Sequence, residues 1–267
     1  MAQLDKDDHD AVENASKLSS RLIYELIRRD GEEEMSRTTR SLIYSGFAAG
    51  VMISFSVVGE AVFRTYLPDA PHRYLIENFG YTFGFLFVIL GRLQLFTENT
   101  ITTVLPVMIV PTAHNANKMM RLWGVVLAAN VVGAFAIASF FYAGGLPQAL
   151  HPAVSELSHH ATGLGAWNGF LRGIPAGILI ASLVWALPQA KGNEVLVIIA
   201  FTWLIAAGDF THIVAGSVEM AWLMIQGELG AFAAVFSFFL PVLLGNIMGG
   251  TAIFAFISWG QIKDEVR

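Results

Sequence analysis

Long apolar runs alternate with short polar interruptions along most of the chain. A helix needs about 20 apolar residues to cross the hydrocarbon core of a bilayer. Four runs reach that length: Ser41–Phe63, Arg121–Tyr142, Gly165–Leu187 and Ala231–Trp259. We predict that each of these runs forms one membrane-spanning helix.

Two further apolar runs, Phe79–Val110 and Val195–Gln226, have a different pattern. Each contains 32 residues, which is too long for one straight span and too short for two. Polar residues interrupt both runs near their middle: Arg92, Gln94, Thr97, Glu98 and Asn99 in the first, and Asp209, Thr211 and His212 in the second. Irregular backbone at membrane depth is tolerated where it is buried in protein or lines a cavity. We therefore predict six spans, with the second and the fifth discontinuous.

The two halves of the chain also resemble each other weakly. Three pairs of short segments occur in the same order: Ala49–Ile53 with Ala176–Ile180, Leu95–Glu98 with Asp209–His212, and Asn130–Gly133 with Asn246–Gly249. Each half would contain three spans, an odd number, so the halves would be inverted relative to each other. The predicted fold is an all-α membrane protein of two inverted three-helix repeats.

Composition and charge support a membrane location. Of the 267 residues, 55% are hydrophobic and 14% are charged, whereas soluble domains carry about 25% charged residues. Residues 1–40 hold 17 of the 37 charged residues, which leaves the remainder very poor in charge. A core this apolar requires a lipid bilayer as its partner. The net charge of −5 argues against nucleic acid as a partner, and the absence of cysteine excludes disulfides and thiolate chemistry.

Three regions follow from this distribution: an N-terminal tail (1–40), a transmembrane pore domain (41–260) and a C-terminal tail (261–267). Within the first tail we predict an amphipathic helix at about residues 11–29, with its apolar face formed by Val12, Ala15, Leu18, Leu22 and Leu26. This helix could dock on the membrane domain or form a separate binding module. Twelve Lys and Arg residues fall on one side of the predicted spans and two on the other, which places both termini in the cytoplasm.

The two interruptions carry the candidate chemistry. Thr97 is predicted as the N-cap of the half-helix that follows the first interruption, and Asp209 or Thr211 as the cap of the half-helix that follows the second. By the inverted symmetry the two positive helix ends would converge at the bilayer midplane. Converging helix N-termini form a site for an anion.

His212 is the one histidine inside an apolar span. Burial and two positive helix ends both disfavour the imidazolium form, and an arriving anion would reverse that bias. His212 could then donate a proton to the anion or hold positive charge beside it; the alternative is a core histidine bonded to a backbone carbonyl. Arg92 is expected to be buried and paired with Glu98, Asp209 or Glu219, as a structural brace or as a charge in the pore.

Other constellations are absent from the sequence. His151, His159 and His160 lie in a predicted outer loop without acidic neighbours, so no metal site is predicted. The chain has no Gly-x-Ser-x-Gly, P-loop or Gly-x-Gly-x-x-Gly motif, and neither a cofactor nor an enzymatic activity is predicted.

Three motifs together resemble the formate/nitrite transporter family, in particular a less characterised branch of inner-membrane proteins. They are Leu95-Phe96-Thr97, Asp209-Phe210-Thr211-His212 and Gly245-Asn246-Ile247-Met248-Gly249-Gly250, and the resemblance runs from about Ser41 to Trp259. It implies an aquaporin-like fold, a homopentamer with one pore in each subunit, and passage of small monovalent anions such as formate or nitrite, or of their neutral acids.

The resemblance also implies roles for individual residues. His212 would be the central histidine of the pore, and Thr97, with Leu95 and Phe96, would belong to the loop that approaches it. Tyr81, Phe85 and Ile205 would fall at constrictions. Three positions depart from the family pattern: Thr211 stands where members often carry Glu, Gly177 replaces an asparagine, and Arg92 replaces a small residue.

We therefore predict a multi-pass inner-membrane channel or transporter for a small monovalent anion, with proton exchange near His212. Three alternatives remain open at the level of sequence. They are a pore for water or a small neutral solute, an intramembrane hydrolase that uses His212 with Ser217, and a non-conducting scaffold that displays the N-terminal tail.

Overall fold

The computed structural model describes residues 18–263, and every regular element in that part of the chain is a helix. In chain order the helices are α1 (Ser20–Ser36), α2 (Thr39–Tyr66), α3 (Arg73–Glu77), α4 (Thr82–Leu90), α5 (Phe96–Thr102), α6 (Val104–Ile109), α7 (Ala113–Gly145), α8 (His151–Thr162), α9 (Ala166–Gln189), α10 (Glu194–Ala207), α11 (Ile213–Gln226) and α12 (Ala231–Ile262). The protein is therefore all-helical, as the sequence predicts.

Helices α2, α7, α9 and α12 are long and apolar enough to cross a membrane. They coincide with the four uninterrupted apolar runs of the sequence. The largest difference lies at the start of α7, which begins eight residues before the predicted span at Arg121. Its N-cap explains the extension, because the Thr112 hydroxyl accepts a hydrogen bond from the Asn115 N–H at 3.2 Å.

The two interrupted runs each contain helices separated by non-helical residues. In the first run, α4 ends at Leu90 and α5 begins at Phe96. In the second, α10 ends at Ala207 and α11 begins at Ile213. Arg92 and Asp209 adopt left-handed backbone conformations, with φ of 49° and 54°. The helices therefore stop at the polar residues that the sequence singles out.

The N-terminal helix lies further along the chain than predicted. Residues 11–17 of the predicted segment lie outside the described residues, and α1 continues to Ser36 rather than ending near residue 29. Of the predicted apolar face, Leu22 and Leu26 are exposed, Leu18 packs against the core, and Val12 and Ala15 lie outside the described residues. Helix α1 instead buries Ile23, Tyr24, Ile27, Gly31 and Met35.

Helix α1 docks directly on the membrane domain. The Tyr24 hydroxyl donates to the Leu105 carbonyl at 3.4 Å. Gly31 lies so close to the Thr102 carbonyl that an added Cβ would stand 1.9 Å from its oxygen. Of the two possibilities for this segment, docking on its own membrane domain is the one observed.

The two ends of the described chain also meet, because the Gln261 amide donates to the Ser20 hydroxyl at 3.1 Å.

Two glycines let long helices cross at backbone contact. A Cβ at Gly50 on α2 would lie 2.1 Å from the Asn130 carbonyl oxygen on α7. A Cβ at Gly177 on α9 would lie 2.3 Å from the Asn246 carbonyl oxygen on α12. The crossings bring the Asn130 and Asn246 side chains, which lie on α7 and α12, next to the two interruptions. The lack of a side chain at Gly177 thus has a packing reason.

Candidate functional site

His212 is the N-cap of helix α11, and its side chain is 3% exposed. Its Nδ1 accepts a hydrogen bond from the Ala215 N–H at 3.3 Å. The prediction that Asp209 or Thr211 caps this helix is wrong, because His212 itself satisfies the free N–H group. Thr211 instead donates its hydroxyl to the Gly169 carbonyl at 2.9 Å.

The other ring nitrogen of His212 contacts the first interruption. Nε2 lies 2.7 Å from Oγ1 of Thr97, and Thr97 is 1% exposed. Since Nδ1 accepts from a backbone amide, the network assigns the ring proton to Nε2, which donates to the threonine oxygen. Protonation at Nδ1 would break the bond to the Ala215 N–H. The contacts therefore hold His212 as a neutral imidazole of one tautomer.

Thr97 lies in the first turn of α5 and is not its N-cap, contrary to the prediction. Leu95 occupies the cap position and supplies no side-chain hydrogen bond. The N–H of Phe96 is satisfied from another helix, because it donates to Oδ1 of Asn130 at 2.9 Å. The Phe96 ring packs edge-on against Trp123 at 5.7 Å. Leu95 and Phe96 are both buried, so they help to hold Thr97 in place.

Two asparagines brace the two interruptions with equivalent hydrogen bonds. Besides the bond from Phe96, Asn130 donates to the carbonyls of Gly46 and Gln94, both at 2.8 Å. Asn246 accepts from the Ile213 N–H at 2.8 Å and donates to the carbonyls of Gly173 and Thr211, both at 2.9 Å. Both asparagines are completely buried. Each bonds one N–H and one carbonyl at an interruption, and one carbonyl of a neighbouring long helix.

These contacts correct the sequence alignment of the two interruptions. The sequence comparison matched Leu95–Glu98 with Asp209–His212. The left-handed residues and the asparagine bonds instead pair Arg92 with Asp209 and Leu95 with His212. The threonine and the histidine that meet in space are therefore not equivalent positions of the two halves.

Aromatic and aliphatic side chains surround the His212 ring. Phe85 on α4 packs edge-on against it, with ring centroids 5.0 Å apart, and the Tyr81 ring lies 5.2 Å beyond Phe85. Phe85 and Ile205 are completely buried and Tyr81 is 8% exposed. The structure thus places Tyr81 and Phe85 in a row that ends at His212, and Ile205 in the surrounding core.

A cavity of about 290 Å³, which we call the distal cavity, opens on one side of His212. Acidic residues dominate the charged groups of its wall, which include Glu60, Glu77, Glu156, Asp209, Glu219 and Arg64. The Asp209 carboxylate has two partners at the second interruption. Its Oδ2 forms an ion pair with Arg172, and its Oδ1 lies 2.8 Å from Nε2 of His160.

The three loop histidines of the sequence prediction belong to helix α8. His159 contacts Glu228 at 2.7 Å and His160 contacts Asp209, so they have the acidic neighbours that the sequence seemed to lack. Within residues 18–263 no group of three or more His, Asp or Glu side chains is placed to hold a metal ion.

A second cavity, of about 630 Å³, lies on the side of helix α1; we call it the tail-side cavity. Its wall includes Asp30, Glu34, Glu98 and Arg92. The prediction that Arg92 is buried and paired with Glu98, Asp209 or Glu219 is wrong. Arg92 is exposed, because its left-handed backbone turns it out of the apolar segment, and it forms no ion pair with a described residue.

Gln94 links this cavity wall to the first interruption. Its side-chain amide donates to Glu34 on α1 at 2.6 Å and its backbone N–H donates to the Ser45 hydroxyl at 3.0 Å.

Three buried polar residues, Asn130, Asn246 and Glu60, received no role from the sequence. The repeated Asn-x-x-Gly pattern was the one available signal for the two asparagines, whereas Glu60 stands alone within an apolar run.

Comparisons with known proteins give a single family. The family model described as "Formate/nitrite transporter" matches residues 21–260. The chain is 43% identical over 245 residues to inner membrane protein YfdC of Escherichia coli, which covers 91% of this chain and 79% of that protein. It is 26% identical over 236 residues to formate channel FocA of Haemophilus influenzae, which covers 77% of this chain and 81% of that protein.

Solved structures show the same fold. A pentameric formate channel with formate bound superposes with a TM-score of 0.71 at 20% identity, covering 84% of this chain and 97% of that chain. An ion channel of the same family superposes with a TM-score of 0.76 at 17% identity, covering 90% and 98%. The fold, the matched family model and the 43% identical relative lead to one conclusion: the chain is a member of the formate/nitrite transporter family.

Proposed function

We propose that the chain is a channel or transporter for a small monovalent anion of the formate or nitrite type, which crosses as its conjugate acid at His212. One observation carries the proposal: the buried contact between Thr97 Oγ1 and His212 Nε2, at 2.7 Å, joins two interrupted apolar segments at the wall of the distal cavity. A polar pair of this kind, deep in an apolar helical domain, is characteristic of a permeation path.

The architecture we propose has six spans in two inverted repeats. The four long helices supply spans 1, 3, 4 and 6, and the interrupted segments supply spans 2 and 5. The equivalent bonds of Asn130 and Asn246 support this assignment. The hydrogen bond between Gln261 and Ser20 is consistent with both termini on one side, and the distribution of Lys and Arg favours the cytoplasm.

A homopentamer is the assembly that we propose, by analogy with the formate channel of the same fold. Large apolar side chains cover the outside of the single chain: Phe232 is 76% exposed and Leu196 65%. Lipid or neighbouring subunits would cover such surfaces in the membrane.

The geometry also supports a mode of substrate handling. His212 is the N-cap of helix α11, so the positive end of this helix faces the contact and attracts an anion. Since Thr97 Oγ1 accepts from His212, the threonine hydroxyl proton is free to donate to a solute oxygen. The apolar row of Phe85 and Tyr81 disfavours a full charge and favours the neutral acid.

Uptake of labelled formate or nitrite by proteoliposomes tests the proposal. We expect wild-type protein to transport either ion, and His212→Asn, which keeps polarity but not the imidazole, to transport at least about tenfold more slowly, corresponding to a barrier increase of roughly 1.4 kcal/mol. Osmotic shrinkage without uptake of anion would instead indicate a pore for water or neutral solutes. Equal rates and equal pH dependence for the two proteins would refute the role of His212.

A hydrolase that pairs Ser217 with His212 receives no support from the geometry. The Ser217 hydroxyl donates to the Ile213 carbonyl at 2.7 Å, within its own helix. The relative from Haemophilus influenzae and both structural neighbours are channels by their descriptions.

A further inference from the structure

Two carboxylic acids of the distal cavity have no place in the mechanism described so far. Glu60 lies on α2 and Glu219 on α11, two helices that pack against each other, and both side chains line the cavity that reaches His212. Glu60 is 6% exposed, and Glu219 is partly buried. Carboxylic acids at such depth are functional-site candidates.

The basic groups around this cavity already have other partners. Arg64 bonds to Glu77 at 2.6 Å and contacts Glu156 at 3.3 Å, while Arg172 and His160 both contact Asp209. Arg73, at the rim, contacts Asp69 and Glu77, both at 3.4 Å. Within residues 18–263, neither Glu60 nor Glu219 has an ion pair or a hydrogen bond.

A third polar group, on a different segment of the chain, faces the same cavity. Tyr81, the N-cap residue of α4, is 8% exposed, and its hydroxyl has no hydrogen-bond partner within the described residues. Its ring leads through Phe85 to His212, at centroid distances of 5.2 Å and 5.0 Å. A phenol and two carboxyl groups, unpaired and facing one cavity, therefore stand at the start of the aromatic row.

The electrostatics of this arrangement favour a bound proton. Burying an ionised carboxylate without a cation costs several kcal/mol, and two such groups in one cavity add mutual repulsion. A proton taken up by either carboxyl group removes the repulsion and one of the two buried charges. Tyr74 and His212 are the other titratable groups of the wall, and His212 is held neutral by its bonds to Ala215 and Thr97.

We propose that Glu60 and Glu219, with the Tyr81 hydroxyl, form a proton-donating site at which a weak-acid anion from the distal side becomes a neutral acid. This inference rests on the proposed transport function. The O–H bond of one glutamic acid breaks, and a new O–H bond forms on an oxygen of formate or nitrite. The glutamate is left as the anion and recovers a proton from hydronium of the distal solution, relayed by water in the distal cavity. The neutral acid then passes Phe85 to His212, whose own proton stays in place.

The site also defines a class of substrate. With one proton between them, the two carboxyl groups still carry a negative charge that repels anions, so a solute that accepts no proton has no favourable route through the distal cavity. Anions of small weak acids are admitted by this mechanism. Chloride, whose conjugate acid is strong, is excluded.

Formate uptake measured against external pH tests this inference. The variants are Glu60→Gln, Glu219→Gln and the double variant, with Glu156→Gln as the matched control, since Glu156 is exposed at the same cavity and paired with Arg64. The free acid fraction of formate falls about tenfold for each pH unit above its own pKa. We expect the formate uptake of wild type and of Glu156→Gln to fall by less than tenfold for each pH unit. The double variant should follow the tenfold slope and transport at least about tenfold more slowly near pH 7.

Two further results would overturn the inference. One is a double variant that elutes as an intact oligomer and keeps the wild-type pH profile. The other is uptake of methylammonium that depends on the two glutamates while formate uptake does not, because the site would then bind a cation. If wild type transports neither formate nor nitrite, the proposed function fails, which is a separate outcome.

Infrared spectroscopy tests the proton itself without any transport. The difference spectrum between wild type and the double variant, recorded near neutral pH, should contain the carbonyl stretching band of a protonated carboxylic acid. That band should shift in deuterated water. A difference spectrum with carboxylate bands alone would overturn the inference even in a protein that conducts formate.

Discussion

The second interruption depends on one amide side chain, and its removal has a calculable cost. Asn246→Ala deletes the acceptor for the Ile213 N–H and the donor groups for the carbonyls of Gly173 and Thr211, which are bonded at 2.8, 2.9 and 2.9 Å. A buried backbone group left without a partner costs about 1–3 kcal/mol, and lipid supplies no replacement. We expect a loss of about 2–6 kcal/mol, because the Ile213 N–H and the Thr211 carbonyl lose their partner, whereas the Gly173 carbonyl lies inside α9 and keeps a helical one.

The assay is thermal unfolding of the purified protein in detergent, combined with formate uptake. For a chain of this size, 1 kcal/mol corresponds to about 2–4 °C, so the midpoint should fall by about 4–24 °C. Uptake should fall as well, because Thr211 and Ile213 flank His212. Asn130→Ala removes the matching three bonds of the first interruption and should cost the same amount.

Asn168→Ala is the control for this experiment. Asn168 lies on α9, as Gly173 does, but is exposed and makes one hydrogen bond, to the Leu164 carbonyl at 3.2 Å. Its loss should change the midpoint by less than about 2 °C. If Asn246→Ala unfolds within the same margin, the amide is not the brace that the bonds imply, and the account of the second interruption is refuted.

Three further predictions concern other parts of the chain. Thr97→Ser should keep most formate uptake and Thr97→Val should lose at least about tenfold, because serine retains the hydroxyl; equal losses would mean that the methyl group is what matters. Gly177→Ala should lower the thermal midpoint by several degrees, since its Cβ would lie 2.3 Å from a carbonyl oxygen of α12, and an unchanged midpoint would show that the crossing relaxes freely. Hydrogen bonds from Arg28 lower the pKa of Glu25 to about 2, so this pair stabilises α1 above the ordinary glutamate pKa near 4.5 and stops doing so as the pH falls towards 2. Thermal scans should show a steeper loss of stability in acid for wild type than for Glu25→Gln, and identical slopes would contradict the shift.

Much of the fold follows from hydrophobic pattern, because a membrane helix needs a long apolar run and little else. The four long helices and the positions of the two interruptions are of this kind. The N-cap of α5 is different. Thr97 has the right residue type, but the Phe96 N–H donates to Asn130 of a distant helix, so the helix begins two residues earlier than local capping rules suggest. A tertiary bond of this type leaves no local signal.

Charged residues near the interruptions were the least predictable. The prediction of a buried and paired Arg92 assumed that its backbone continues the helix. Its backbone is instead left-handed, with φ of 49°, and its side chain is exposed. The alignment of the two interruptions was wrong for a related reason. Similarity of residue type aligns Asp209 with Leu95, whereas backbone conformation aligns Asp209 with Arg92. Equivalent positions here share a conformation without sharing a side chain.

The most direct test of the permeation path uses the absence of native cysteine. Thr97→Cys places one thiol at the contact with His212, and formate uptake into proteoliposomes is measured before and after treatment with methyl methanethiosulfonate. A path through this contact predicts that modification of the thiol blocks uptake while wild type is unaffected. Complete modification of the thiol with uptake unchanged would contradict it.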